Sequence, residues 1–468
     1  MATFSGGTFA DSPGSTFADI PDEGDFDAGD IDFDGDVDFD DMAAGDLTWP
    51  GITVAIAPGY TMTDADKVWV NISNQVLVNP GITISRGQGR QYDRDETAEC
   101  QLTLIDTDRT FDPLNGLSPY VGLLVPWMPL RVVATYSGIT YPLFVGGIES
   151  FPQTYDLADR FVTIPLVGHG WLGWLANRGF RPVSPLILDH LTAGILDSDR
   201  MLSGETPDLP SHLSGARIEL LLDAAGVPST AVNADPGVSM LHAGPPTGSL
   251  LEHLDLVRQT ELGRLYEDAY GELQYKDRTH VEGAAVTAFF SDAGGWSVPY
   301  SALTIDAGDI RTLKNLVTRG SSTVVESTVI DSLSQERYGP ITDEKTDLLF
   351  DTALDAHGQA SYLIARHNAP QTRITSLVVK PRRVPEYLFP LILNPELSDL
   401  CARFTIARTP VGVGAAYVAE ALVGRVEHKI GGREWVTTYQ LYPPDTNDYW
   451  VLDDVAKGRL DAGNLISY

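Results

Sequence analysis

The sequence contains little cysteine and has only short apolar runs. Its 468 residues include two cysteines, Cys100 and Cys401, too few for the disulfide framework of a small secreted protein. Each lies in a strand-like run, which predicts two buried, small apolar side chains. The longest apolar run, residues 121–133, is interrupted by two prolines and by Arg131. Because a membrane-spanning helix needs about 20 apolar residues, no membrane span is predicted.

Basic residues are also scarce. The chain has 32 Lys and Arg against 64 Asp and Glu, which gives a net charge of −32. A protein that binds nucleic acid tightly needs a basic surface to displace counterions, so tight nucleic-acid binding is not expected. An acidic surface can still surround a passing duplex without holding it, and acidic charge also keeps a concentrated protein soluble. The N-terminus has no basic stretch followed by an apolar run, so no signal peptide is predicted.

Motifs typical of catalytic sites are missing. The sequence contains no HExxH, no Cys/His cluster, no Gly-x-Ser-x-Gly elbow and no phosphate-binding Gly-Lys-Ser/Thr loop. We therefore predict no enzyme activity and no cofactor. His357 and His367 flank a predicted helix and are expected to be solvated or to cap it. Glu267 and Asp268 are residue types that a glycosidase uses, but in a chain with 64 acidic residues such a pair carries no information.

Residues 1–46 form an acidic segment with 14 acids and no Lys or Arg. Short units recur in it, such as Thr-Phe-Ala-Asp, so it cannot build a core of its own. Its regularly spaced Phe residues are expected to anchor it to a neighbouring surface.

One stretch of this arm has the spacing of a calcium loop, with carboxylates at alternate positions and Gly35 at the turn. Its last ligand would be Asp rather than the usual Glu, and no flanking amphipathic helices are visible. A solvated or docked arm is therefore the favoured interpretation, and calcium binding is the alternative. The candidate ligands are Asp30, Asp32, Asp34, Asp36, Asp38 and Asp41.

Short strands dominate the remaining sequence. Residues 98–106 and 131–136 alternate apolar and polar side chains, which predicts strands with one buried face. Ser137-Gly138 predicts a hairpin, as does Gly431-Gly432. Helices are predicted after the capping box that begins at Ser249 and over roughly residues 352–367.

Two tryptophans, Trp171 and Trp174, follow the first group of strands. We expect them to be core or interface anchors, with stacking on sugars as the alternative. The strand and helix pattern divides the chain into five parts. These are an acidic low-complexity arm (1–46), a first β domain (47–175), a mixed α/β domain (176–305), a third unit with barrel-like strands and a helix (306–443), and a C-terminal docking tail (444–468).

An ordered series of motifs resembles the tail hub proteins of long-tailed bacteriophages, the minor tail or baseplate hub proteins found especially in phages of actinobacteria. The first domain supplies five of them: Arg-Gly at 86–87, Asp-x-Asp-Arg-x-Phe-Asp-Pro-x-Asn at 106–115, Ser-Pro-Tyr at 118–120, Leu-Arg at 130–131 and Phe-x-Gly-x-Ile at 144–148. The later domains supply three more: Thr-Glu-x-Gly-x-Leu-Tyr at 260–266, Gly-x-Leu-x-Tyr-x-x-Arg at 271–278 and Arg-Tyr-Gly at 337–339. The resemblance extends over roughly residues 50–455 and leaves out the acidic arm.

This resemblance implies an α+β, mainly β fold, with two hub-type β-barrel-like domains, an intervening mixed α/β domain and an acidic N-terminal arm. It implies a structural virion protein of the phage tail tip, assembled in the host cytoplasm as a central ring that is most often a homotrimer. The ring would join the distal tail protein and the tape measure protein to tip or receptor-binding proteins. It would open for DNA passage and carry no catalytic residues. The alternatives are a receptor-binding adhesin and a tail-associated cell-wall hydrolase.

Overall fold

A computed structural model describes residues 50–155, 162–176, 209–244, 248–293, 297–412, 414–432 and 434–444. The chain divides into two compact units, Met1–Leu47 and Thr48–Tyr468, and the described residues all belong to the second. The acidic arm, with its candidate calcium ligands from Asp30 to Asp41, lies outside the described residues. In the described part, no helix is long and apolar enough to cross a membrane.

Strands make up most of the regular structure. In the first half of the chain they are β1 (Gly51–Ile56), β2 (Val70–Asn71), β3 (Ile82–Gly87), β4 (Glu96–Asp106), β5 (Met128–Tyr136), β6 (Ile139–Ile148), β7 (Thr154–Tyr155), β8 (Val162–His169), β9 (His212–Leu213), β10 (Val232–Ala234) and β11 (Met240–Leu241). In the second half they are β12 (Arg264–Glu267), β13 (Leu273–Lys276), β14 (Val286–Ser291), β15 (Ala302–Ala307), β16 (Leu316–Ser321), β17 (Ser327–Ile330), β18 (Thr342–Leu348), β19 (Thr372–Val379), β20 (Arg403–Arg408), β21 (Tyr417–Ile430) and β22 (Trp435–Tyr442).

Helices are shorter and fewer among these residues. The α-helices are α1 (Trp171–Ala176), α2 (Ser214–Ala225), α3 (Leu250–Glu261), α4 (Arg278–Gly283), α5 (Ser332–Tyr338), α6 (Ala353–His367), α7 (Phe389–Leu393) and α8 (Pro395–Ser398). Single 3-10 turns occur at Ser73–Gln75, Ser229–Ala231, Ile310–Thr312, Pro381–Arg383 and Glu386–Leu388.

Fourteen strands join in one sheet, whose main path runs β15-β19-β22-β21-β3-β4-β8-β6-β5-β1-β2. Strand β20 pairs with β21, β14 with β20, and β7 with β8. The pairs are antiparallel except β14 with β20. Three smaller sheets, β10-β13-β12, β11-β9 and β17-β16-β18, complete the pattern.

The prediction of a mainly β fold is confirmed, but the barrel-like closure is not seen among the described strands. The sheet path begins at β15 and ends at β2, so the sheet is open. Strand β3 pairs with β4 on one edge and with β21 on the other. It therefore joins the first group of strands to the last group in one open sheet.

Alternation of side chains along the strands builds the main core. In β4 the apolar residues from Ala98 to Leu104 are buried at every second position, as the period of two predicts. In β22 every second residue is likewise buried, beginning at Trp435. The buried faces of these strands belong to one apolar cluster that contains residues from β1 through β22.

Local signals place the helices. Ser249 and Glu252 form the predicted capping box at the start of α3, and Gly226, at φ 83°, ends α2 in the left-handed conformation. Helix α6 begins after Thr352, whose side chain accepts from the Asp355 amide. A second apolar cluster unites α1, α2, α3 and the β12–β13 hairpin, so the middle of the chain has its own core beside the large sheet.

Candidate functional site

The pairing of β3 with β21 brings the first and last parts of the chain together. Arg425 lies opposite Gly87 in this ladder. Gly87 has φ +105°, and a Cβ placed there would lie 2.2 Å from the Gly424 carbonyl oxygen. Glycine is therefore required for the two backbones to approach this closely. Around this strand pair, buried charged side chains connect segments that are far apart in sequence. We call this region the charged seam.

Arg264 is the centre of the charged seam. It lies on β12, is almost fully buried, and contacts the Asp95 carboxylate at 2.5 Å. It also donates to the Val423 and Gly424 carbonyl oxygens of β21, each at 3.0 Å. Burial alone would lower the pKa of Arg264, but the adjacent Asp95 carboxylate outweighs this and raises it. One charged side chain thus connects the hairpin before β4, the middle of the chain and β21.

A second buried ion pair involves Arg86 of β3 itself. Arg86 contacts Asp399 at 2.9 Å, and it also donates to the Leu143 carbonyl oxygen of β6. The other Asp399 oxygen accepts the backbone N–H of Ala269 at 3.0 Å. Both carboxylate oxygens are therefore hydrogen-bonded, as a buried charge requires. This pair fixes β3, β6, the turn after β12 and the segment before β20 relative to one another.

Glu267, the last residue of β12, connects to the first group of strands without a basic partner. Its carboxylate accepts the backbone N–H of Ala98 in β4 and that of Leu172 in α1. It packs so closely on Gly170 that a Cβ there would lie 2.3 Å from the carboxyl carbon. Burial raises the pKa of Glu267 to about 7, against the two hydrogen bonds that lower it. Protonation of this residue therefore falls within the neutral pH range.

The tip of the β3–β4 hairpin is held by basic side chains. Both terminal nitrogens of Arg258 donate to the Tyr92 carbonyl oxygen at 3.3 Å. The Tyr92 ring lies 5.5 Å from the Lys314 ammonium and 5.9 Å from the Arg366 guanidinium, within the range of cation–π attraction. His367 meets the same ring edge-on, and burial together with the neighbouring Lys314 and Arg366 lowers its pKa to about 3.

Several cavities adjoin this hairpin. One of about 40 Å³ is lined by four arginines, Arg258, Arg264, Arg278 and Arg366. Another, about 570 Å³, lies between the hairpin and the segment around Asp309, and its charged lining mixes both signs. Basic residues are thus concentrated around the seam although the chain as a whole is strongly acidic. Carboxylates or backbone carbonyl oxygens contact Arg258, Arg264 and Arg366. The contacts of the seam therefore hold distant segments of the chain together.

The structure locates most of the residues that the sequence singled out. Cys100 and Cys401 are free and buried, as predicted. Trp171 and Trp174 are buried and meet edge-on, with ring centroids 5.3 Å apart, which confirms their role as core anchors. In the described ranges no cluster of three or more metal-binding side chains is found. The calcium candidates themselves lie outside those ranges, so that interpretation stays a prediction.

The structure gives different surroundings to the two histidines that flank the predicted helix, and it shows the contacts of Glu267 and Asp268. His357 is exposed and hydrogen-bonded to Ser327, in agreement with a solvated role. His367 is buried instead, against the Tyr92 ring. Glu267 accepts two backbone hydrogen bonds. The Asp268 backbone N–H donates to the Glu272 carbonyl oxygen at 3.1 Å, and the Asp268 carboxylate accepts the Glu272 N–H at 2.9 Å.

The sequence did not indicate the charged seam. Arg264 and Asp95 are 169 residues apart, and Arg86 and Asp399 are 313 apart. The one local signal is Arg264 itself, which stands beside Leu265 in a short strand. The structure shows that all residues of this strand are buried, and a buried charge needs a partner.

No protein-family model matches the sequence, and no curated protein matches it. Among solved structures, the fold is similar to that of a 43 kDa tail protein of prophage MuSo2 from Shewanella oneidensis, with 13% identity, 85% of this chain and 98% of that chain covered, and a TM-score of 0.50. A tail protein from Neisseria meningitidis MC58 gives 12% identity, coverage of 84% and 96%, and a TM-score of 0.49. The first likeness shows a shared fold over nearly the whole length of the MuSo2 protein.

Proposed function

We propose that this chain is a structural subunit of a phage-type tail, where it forms the central hub ring of the tail tip. The observation that carries this proposal is the fold shared with the MuSo2 tail protein over 85% of this chain. The ordered hub motifs, from Arg86-Gly87 to Arg337-Tyr338-Gly339, support the same assignment. The proposal assigns no catalytic step to the chain.

The charged seam supports a mechanical role. Buried ion pairs at Arg264 and Arg86 connect strands from both ends of the described region, and breaking such a pair is costly because a charge is left buried without a partner. A subunit held in this way behaves as one block. A ring of such blocks keeps its geometry while other tail components attach to it.

We infer that the chain forms a homotrimer. This ring would join the distal tail protein and the tape measure protein to tip or receptor-binding proteins, with DNA passing through it. The net charge of −32 suits this passage, because an acidic wall repels phosphate groups and does not hold the duplex. Binding to the host receptor would then belong to other tail proteins.

Two measurements test the proposal. The first is the native mass of the purified chain, for which a trimer gives about 152 kDa, three times the 50.7 kDa of one chain. The second is gold labelling of a tagged chain in virions of the parent phage, which is expected at the distal end of the tail. Absence of the chain from purified virions would overturn the proposal. Inhibition of adsorption by the free protein would favour an adhesin instead.

A further inference from the structure

The loop between β4 and β5 presents a patch of apolar side chains to solvent. Leu114 is 86% exposed, Leu117 95%, Val121 50% and Leu123 39%. Residues 113–130 include no Asp, Glu, Lys or Arg. Single exposed apolar residues are normal, but several on one loop form a patch that marks an interaction surface. We call residues 113–123 the apolar loop.

The base of the apolar loop is held in one conformation. The Asp106 carboxylate accepts the backbone N–H groups of Thr110 and Phe111, both at 2.9 Å. Phe111 is fully buried and packs against Tyr120, with ring centroids 5.4 Å apart. Gln153 donates to the Phe111 carbonyl oxygen at 2.6 Å. The loop is therefore anchored to the core at Phe111.

Its tip is ordered by side chains as well. Asp112 accepts the Leu114 N–H at 2.8 Å. Asn115 donates to the Arg109 carbonyl oxygen at 2.8 Å and accepts the Leu117 N–H at 3.1 Å. The two most exposed leucines thus project from a backbone that is already fixed. Binding through them loses little conformational entropy, which is the condition for an efficient anchor.

The same chain contains a recess suited to such an anchor. It measures about 230 Å³ and lies between the β1–β2 connection, β6, α1 and the turn that contains Gly271. An apolar cavity of about 150 Å³ already takes up a benzene molecule, so this recess has room for a leucine side chain. Polar residues, among them Asp64 and Lys67, stand beside the apolar ones. The apolar and aromatic part of the lining includes Met62, Pro129, Val145, Trp171, Ala231 and Tyr270.

We propose that Leu114 and Leu117 of one copy insert into this recess on the next copy of the same chain. The inference rests on the proposed ring and identifies its subunit contact. Two copies that each carry a charge of −32 repel one another. This repulsion favours a contact made through surface without charge, and the apolar loop is such a surface. The apolar loop and the recess are different surfaces. Contact between two different surfaces is the kind that builds a ring when the rotation between subunits closes.

The size of the patch sets the role of these leucines. A stable interface covers about 800 Å² on each partner, more than two leucines supply. They are therefore part of a larger contact, in which a few well-packed central residues carry most of the binding energy.

The experiment measures the mass of the full chain against concentration by sedimentation equilibrium, for the wild type and three variants. Leu117→Asp places a charge on the apolar loop. Thr230→Trp fills the recess, because Thr230 lies in its exposed lining. Leu333→Asp is the matched control, since Leu333 is 80% exposed on α5 and belongs to neither surface. We expect the wild type and the control to form the same oligomer, and both other variants to dissociate at least about tenfold more readily.

Each contrary result has a distinct meaning. An oligomer that survives both Leu117→Asp and Thr230→Trp overturns this contact and leaves the hub proposal standing. A wild-type chain that stays monomeric at all concentrations also overturns the contact as a self-association surface, while labelling in virions still decides the hub. Circular dichroism of each variant establishes that it is folded.

Discussion

At the scale of single residues, the buried Arg264–Asp95 ion pair joins segments that are far apart in sequence. Replacing Arg264 with Met leaves Asp95, whose side chain is fully buried, without its counter-charge. Removing one partner of a buried pair costs about 3–5 kcal/mol, so we expect a loss of that size in the free energy of unfolding. Urea denaturation with linear extrapolation measures it.

A matched control uses a surface pair. Arg311 is 69% exposed and contacts Asp309 at 2.9 Å, and exposed ion pairs contribute little to stability. Arg311→Met is therefore expected to lower the free energy of unfolding far less than Arg264→Met does. Adding Asp95→Leu to Arg264→Met should recover part of the loss, because an apolar pair can replace a buried ion pair. Equal losses for Arg264→Met and Arg311→Met would contradict the role given to the seam.

Glu267 makes stability depend on pH. Burial raises its pKa in the folded protein to about 7 from an ordinary value of 4.5. Between these two values the folded state holds a proton that the unfolded state has released, so stability falls as the pH rises from 4.5 to 7. The loss due to this one residue is about 2–3 kcal/mol between pH 5 and pH 8.

The variant Glu267→Gln isolates this effect. The side-chain amide that this substitution creates cannot ionise. The free energy of unfolding of the variant should therefore change less than that of the wild type over this pH range. Asp268, whose pKa burial raises to about 6, acts in the same direction and is present in both proteins. Its contribution therefore cancels in the difference. A difference in unfolding free energy between the two proteins that does not vary from pH 5 to pH 8 would show that Glu267 ionises normally.

Single residues were predictable where the cause is local. The strand-like surroundings of Cys100 predicted its burial. Cys401 is buried as predicted, but it lies in a turn before β20, at φ +66°, and not in a strand. The position of Trp171 and Trp174 after the last strand predicted anchors. The partner of a buried charge was not predictable in this way. A single sequence shows that Arg264 stands among apolar residues, but not which of 64 acids lies opposite.

At the scale of elements, short-range signals predicted most of the hairpins and helices. Strands β5 and β6 pair around Ser137-Gly138, and β21 and β22 pair across the turn at residues 431–434. Turn chemistry and helix caps involve a few neighbouring residues, so they can be read directly. Helix α5 was missed, because Ser332–Tyr338 is short and carries one buried residue, Ser334. A helix without an apolar face leaves no periodic signal.

The pairing of β3 with β21 is the element-level feature that the sequence did not predict. Strands that pair across more than 300 residues share no local turn, and their register is set by packing. Gly87 is the point at which this pairing is most demanding. A Cβ there would lie 2.2 Å from the Gly424 oxygen and 2.8 Å from Leu400.

We expect Gly87→Ala to destabilise the protein by about 3 kcal/mol, the upper end of the usual range for one substitution. The clash adds to the strain of a left-handed residue, which alone costs about 1–2 kcal/mol. Gly122→Ala is the control, since Gly122 has φ +72° but no atom within 4 Å of its Cβ position. Hydrogen exchange should show faster opening of β21 in the Gly87 variant only. Equal effects of the two substitutions would mean that the pairing of β3 with β21 tolerates a side chain at position 87.

At the scale of the whole molecule, composition predicted the class but not the way in which its parts join. The mainly β fold follows from alternating strands and frequent turns. The division into a first domain (47–175), a middle domain (176–305) and a third unit (306–443) remains a prediction, and strands from the first and the third share one sheet. Domain boundaries read from composition assume that a core is built from neighbouring residues. A sheet that combines both ends of the described region violates that assumption.

Net charge leads to a further prediction for the assembled protein. Subunits with a charge of −32 repel one another over a distance set by salt, about 30 Å at 0.01 M and about 8 Å at 0.15 M. If the subunits meet through uncharged apolar surface, screening removes repulsion and weakens no attraction. We therefore expect the dissociation constant of the oligomer to fall as salt rises from about 0.01 M to about 0.15 M, as sedimentation equilibrium can measure. An interface held by ion pairs would respond in the opposite direction, because the same salt would screen its attraction. The sign of the salt dependence thus separates the apolar loop from a charged contact without any substitution, and Leu333→Asp, which leaves the apolar loop intact, should show the same sign as the wild type.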